Sequence, residues 1–118
     1  VKKILVVDDE ESIRLLYQEE LEEQGYTVIL AGNADEALEH FSAAQPDLVI
    51  LDIKMPGRSG IEVLQIIREQ SRNVPVILST AYGEYKQDLQ TWASDAYIVK
   101  SANMDNLINK VREILFRE

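Results

Sequence analysis

The sequence contains no cysteine, which excludes a disulfide framework and a thiolate metal site. It has no apolar run long enough to cross a bilayer as a helix, and no secretory leader is expected. A Ser/Gly-rich linker, a low-complexity tract and a sequence repeat are all missing, so residues 1–118 read as one domain. Positive charge is scarce: 12 Lys and Arg stand against 21 Asp and Glu, a formal net charge of −9. Binding to a phosphate backbone needs a basic face, so direct DNA or RNA binding by this domain is not expected. The acid excess serves solubility, and it leaves room for a bound cation. A cytoplasmic location fits these absences. Because the first residue is Val rather than Met, the chain is expected to be processed, trimmed or excised from something longer.

What is present is an alternation of strand and helix patterns. With 46% hydrophobic and 28% charged residues, the chain can build one hydrophobic core. Lys3 to Val7 reads as a strand, and Ile13, Leu16, Tyr17 and Leu21 then recur with the period of an amphipathic helix that Gly25 ends. Tyr26 to Ala31 is the second strand. Asn33, three residues before Glu36, starts a helix with Ala34, Ala37, Leu38 and Phe41 inward, and Pro46 stops it. Asp47 to Leu51 is a short apolar strand of the kind buried on both faces of a parallel sheet. A turn-rich loop from Asp52 to Ser59 leads to a second capping box, Ser59 and Glu62, and a helix with Ile61, Leu64 and Ile67 inward. Val74 to Ser79 is the fourth strand, a weaker helix lies around Glu84 to Thr91, and Ala96 to Val99 is the fifth strand. Leu107, Ile108, Val111, Ile114 and Leu115 mark the last helix. Five such units predict an α/β fold with a doubly wound parallel sheet covered by helices on both faces.

In such sheets ligands bind beyond the carboxyl ends of the strands. Strand one ends in Asp8 and Asp9, strand three in Asp52, strand four in Ser79 and Thr80, and strand five in Lys100. Singly, each has an ordinary reading as a solvated group or a partner for a helix N-terminus. Jointly, they put three carboxylates, a hydroxyl and an ammonium on one edge. Carboxylates about 4 Å apart repel by roughly 4 kcal/mol near a protein surface, so "DDEES" asks for a cation.

The stretches "VVDDEES", "LDIKMPGRSG", "STAYG" and "AYIVKS" resemble, in order and along the whole chain, the receiver (CheY-like) domain of bacterial two-component response regulators. The resemblance implies a flavodoxin-like (βα)5 fold with strand order 2-1-3-4-5. It implies that Asp52 accepts a phosphoryl group from a sensor histidine kinase or histidine phosphotransfer protein. Mg²⁺ would be held by Asp8, Asp9, Asp52 and the backbone carbonyl of Lys54. Lys100 and Thr80 would contact the phosphoryl oxygens, and Thr80 with Tyr97 would form the switch. Lys54 and Tyr82, flanking the path of the hydrolytic water, would slow self-dephosphorylation. The output is an effector domain or a downstream protein, with no membrane involved, and the chain is either free-standing or a fragment.

Two features depart from that family. Ser101 replaces the Pro that usually follows the strand-five Lys, so a trans Lys100–Ser101 bond is expected, because a cis bond before a non-proline residue costs roughly 2.5–4 kcal/mol. The stretch from Thr80 to Lys100 is about two residues short, with only Tyr85, Leu89 and Trp92 as an apolar stripe. A short, frayed helix and an unphosphorylated monomer are expected there. Three other readings are weaker. An aspartyl-phosphate phosphohydrolase wants a second acid two residues after its nucleophile. An FMN carrier wants a Ser/Thr/Gly-rich loop after strand one, where four acids stand instead. A receiver that has lost phosphorylation would not retain every key residue. His40 and the acids Glu19, Glu20, Glu22 and Glu23 read as solvated helix positions.

Overall fold

Short aliphatic runs form strands here because their neighbours bury them on both faces. A computed structural model describes residues 1–80, 96–100 and 104–116; the side chains of Thr80, Tyr97 and Val99 lie outside that description. The order of elements is β1 (Lys3–Val7), α1 (Glu11–Glu23), β2 (Thr27–Ala31), α2 (Ala34–Ala44), β3 (Leu48–Leu51), α3 (Gly60–Gln70), β4 (Val76–Thr80), β5 (Ala96–Val99) and α4 (Asp105–Leu115). All strand pairs are parallel, in the order β2-β1-β3-β4-β5 that the family resemblance implies. The stretch 84–91, Trp92 and the Lys100–Ser101 bond fall outside the described residues.

Side chains alternate across the strands and so divide the core into two layers. Leu5, Val7, Val49, Leu51, Val76 and Leu78 face α2 and α3, where Ala37, Phe41, Val63, Leu64 and Ile67 meet them. Ile4, Val6, Leu48, Ile50 and Ile77 face α1 and α4, meeting Tyr17, Leu21, Leu107, Ile108 and Val111. Each fully buried aliphatic side chain contributes about 1.5–3 kcal/mol. All four residues of β3 are buried, as its apolar run requires. Among the described residues no helix is long and apolar enough to cross a membrane.

Several boundaries differ from the sequence expectation, each for a local reason. Tyr26 lies in the turn that closes α1 rather than in β2, its N–H donating to the Leu21 carbonyl at 3.3 Å. Asp47 precedes β3 and accepts from the Lys3 N–H with its side chain at 2.8 Å. β4 begins at Val76 rather than Val74, because the Val74 N–H is taken by Ser71 Oγ at 3.3 Å and Pro75 has no N–H to give. At the start of α2, Asn33 Oδ1 accepts from the Glu36 N–H at 2.9 Å. Glu36 in turn reaches one residue past the cap, accepting from Gly32 N–H at 2.8 Å. Ser59 Oγ caps α3 by accepting from the Glu62 N–H at 3.4 Å. Val63, unremarked in the sequence, is fully buried in α3, while Ile61 is only half-buried.

Candidate functional site

The parallel register sets the site. Val7 pairs with both Ala31 and Leu51, and Leu51 pairs with Leu78, so the strands end level. Asp8 N–H then donates to the Ala31 carbonyl at 3.1 Å, and Asp52 N–H to the Val7 carbonyl at 2.9 Å. The backbone itself therefore places two acids side by side where the strands stop. Asp8 and Asp52 are buried, while Asp9 is exposed at the rim. One carboxylate oxygen from each of the three lies within 4.8 Å of the others.

Lys100, directly after β5, completes the cluster. Its Nζ lies 2.6 Å from Asp8 Oδ2 and 3.4 Å from Asp52 Oδ2. Burial alone would lower the lysine pKa, but the hydrogen bond it donates to Asp8 and the charge of Asp52 outweigh it, so the ammonium is held firmly protonated. Asp52 moves the other way from an ordinary carboxyl. Burial, then the charge of Asp8, push its pKa up to about 6 against the pull of Lys100. One ammonium does not neutralise three acids. The donor set is hard oxygen, compact and acid-rich, which fits a small divalent cation such as Mg²⁺ and no softer metal.

The surroundings hold these groups in place. Asp8 Oδ1 accepts from the Glu10 N–H at 2.9 Å, turning the chain into α1. Arg14 Nη1 donates to the Asp8 carbonyl at 2.7 Å. Gly60 opens α3 with its N–H on the Ile53 carbonyl at 2.7 Å. A Cβ at this position would overlap the Asp52 carbonyl oxygen, so only glycine lets α3 come this close to the end of β3. Behind the acids, the Tyr17 hydroxyl meets Ser79 Oγ at 2.8 Å.

Of the residues singled out in the sequence, Asp8, Asp9, Asp52 and Lys100 are brought together. Lys54 sits on the exposed loop two residues beyond Asp52. Thr80 closes β4 and Tyr97 pairs with Leu78 in β5, but their side chains lie outside the described residues, as does all of Tyr82. Sequence reasoning missed Arg14, Gly60 and the polar side of Tyr17. Arg14 and Tyr17 were hidden within a helical pattern, whereas a Gly at the first position of a capped helix was a usable signal of close approach.

A five-stranded parallel sheet in this order, with an acid pocket and a lysine at its carboxyl edge, defines an open α/β domain with a candidate cation site. Residues 4–112 match the response regulator receiver domain, and the chain belongs to that family. Among curated proteins it is 36% identical to sporulation initiation phosphotransferase F of Bacillus subtilis, over 97% of this chain and 94% of that protein. It is 40% identical to the alkaline phosphatase synthesis transcriptional regulatory protein PhoP of the same organism, over 98% of this chain but 49% of that one. The chain thus spans nearly all of one relative and about half of the other. Among solved structures it resembles the response regulator TrrA of Thermotoga maritima in complex with Mg²⁺–BeF, with a TM-score of 0.92, 52% identity, and coverage of 97% and 99% of the two chains. A second structure holds TrrA with the histidine kinase ThkA, with a TM-score of 0.89, 51% identity, and coverage of 98% and 99%.

Proposed function

We propose that Asp52 is the phosphoacceptor of a two-component signalling pathway and that residues 1–118 act as one receiver domain. What carries the reading is the meeting of Asp8, Asp9 and Asp52 with the Lys100 ammonium at the ends of β1, β3 and β5. The donor is a phosphohistidine on a sensor histidine kinase or histidine phosphotransfer protein, a reading supported by the kinase complex of the similar TrrA. An Asp52 oxygen attacks phosphorus, the P–N bond breaks, and its electron pair leaves with the imidazole, which takes a proton from solvent. The product is an acyl phosphate.

Asp8, Asp9, Asp52 and the Lys54 carbonyl are the groups that would hold Mg²⁺, which when bound neutralises charge on the transferring oxygens. Lys100, already 3.4 Å from Asp52, donates to a phosphoryl oxygen as a compact point charge. The Thr80 hydroxyl donates to another, and Tyr97 turns inward as Thr80 moves. Lys54 and Tyr82 shield the acyl phosphate from water. The chain is consumed and regenerated in this cycle, turning over only its own phosphate, so it acts as a cytoplasmic signalling module rather than as an enzyme. Its output passes to an effector domain or a downstream protein, as the half-length match to transcriptional regulators supports.

The test is mass spectrometry after incubation with acetyl phosphate and Mg²⁺. The native protein should gain one hydroxylamine-labile phosphoryl group per chain, and Asp52→Asn should gain none while keeping its fold. Stoichiometric labelling of Asp52→Asn would remove the assignment.

A further inference from the structure

Two hydroxyls far apart in sequence meet inside the protein where neither is needed for packing. Tyr17 on α1 and Ser79 on β4 are 4% and 2% exposed, and their oxygens lie 2.8 Å apart. Phenylalanine and alanine would fill the same space without the polar atoms. A buried hydroxyl left unpaired is costly, so the pair stands or falls together. Among the described residues no buried side-chain nitrogen or oxygen lacks a partner, so this bond belongs to a fully satisfied interior.

Its place gives it a use. α1 leaves directly from the turn that carries Asp8 and Asp9, and Tyr17 lies on its buried face. Ser79 stands on the penultimate rung of β4, paired with Ile98, and the next rung joins Thr80 to Val99 just before Lys100. Lys100, Asp8 and Asp52 all act electrostatically on the Tyr17 phenol, which burial keeps protonated, so the hydroxyl lies close behind the pocket. The bond therefore links the helix that follows the metal-binding acids to the strand end that carries Thr80.

We propose that Tyr17 is a positioning residue for phosphoryl acceptance. Acting through Ser79, it fixes the carboxyl end of β4 relative to α1 and so to the strand ends that carry Asp8 and Asp52. This role rests on Asp52 being the acceptor and Thr80 a phosphoryl contact.

The experiment compares the native protein with Tyr17→Phe, Ser79→Ala and the double variant, reading both the rate of phosphorylation by acetyl phosphate in excess Mg²⁺ and the urea midpoint. Each single variant orphans one hydroxyl and should be both less stable and slower, by about fivefold in rate, the factor that one ordinary hydrogen bond corresponds to. The double variant has no orphan, so its urea midpoint should return close to the native value. Its rate should stay about fivefold low, no worse than either single variant. A purely structural pair predicts instead that rate recovers together with stability. A double variant as fast as the native protein, or slowed by the product of the two single effects, would overturn the proposal. A single variant too unstable to assay leaves the double variant to decide. Asp52→Asn separates the two levels: a native protein that takes up no phosphate refutes the acceptor, whereas native labelling with undisturbed variant rates refutes only the role of Tyr17.

Discussion

The two layers of the core are built from the same strands yet differ in kind. The layer toward α2 and α3 is apolar throughout, from Leu5 and Val49 to Val63, Leu64 and Ile67. The layer toward α1 and α4 contains two tyrosines, Tyr17 and Tyr26, and on that side Ser79 joins Tyr17 close behind the acid pocket. Polar contacts are directional and dispersion contacts are not, so the layer with the Tyr17–Ser79 bond is the one expected to hold position most narrowly.

Breaking the dry layer should give the largest loss of stability with the least change in chemistry. Leu64 is fully buried in α3, so Leu64→Ala should cost about 2–5 kcal/mol through lost transfer energy and a residual cavity. Urea denaturation measures the loss. Under native conditions the folded fraction should still take up phosphate at the native rate. A slowed reaction in protein that circular dichroism shows to be folded would mean that the dry layer also positions the site.

At the pocket the ordering reverses, and stability itself depends on ionisation. The Asp52 pKa rises on folding from 3.8 to about 6. A raised carboxyl binds its proton more tightly in the folded state. Its contribution to stability is thus fully present below pH 4 and is lost as pH rises through about 6. In chelator, the native protein should lose on the order of 2–3 kcal/mol from this group between pH 4 and pH 7, and Asp52→Asn should not. Other carboxyls titrate in the same range, so the quantity to measure is the difference between the two proteins' urea midpoints at each pH. That difference should grow in favour of Asp52→Asn as pH rises. A constant difference would mean that burial and the charge of Asp8 do not raise the Asp52 pKa.

The same contrast explains what the sequence made legible. Hydrophobic patterning, with capping and turn residues as punctuation, located the described elements, because burial of one face repeats every two or 3.6 residues and β3, buried on both faces, is apolar throughout. The acids and Lys100 were legible because a parallel sheet delivers the residue after each strand to one edge. Boundaries were not, where a single hydrogen bond decided them: Ser71 taking the Val74 N–H delayed β4. Tyr17 was legible as a buried position but not as a donor or acceptor, since its partner lies 62 residues away and periodicity carries no information about polar pairing across the core. Gly60 shows the middle case, a residue type whose reason appears only when the Asp52 carbonyl is seen against it.

The smallest expected effect sharpens the comparison most, because it tests the pocket from its exposed rim. Asp9 is exposed, unlike Asp8 and Asp52, so its removal leaves no cavity and orphans no buried group. In chelator at pH 7, Asp9→Ala should therefore unfold at nearly the native temperature. Mg²⁺ should raise the native melting temperature by mass action, worth about 1.4 kcal/mol when free ion reaches tenfold over the dissociation constant. With one of three clustered carboxylates gone, most of that gain should disappear from Asp9→Ala. Leu64→Ala keeps all three carboxylates, so it should start lower yet gain as much from Mg²⁺ as the native protein does. A calorimetric Mg²⁺ titration of the three proteins reads both outcomes. Indifference of the native protein to millimolar Mg²⁺ would mean that these acids hold no ion. A gain lost equally in Leu64→Ala would mean that the two layers are one cooperative unit with no division of labour between them.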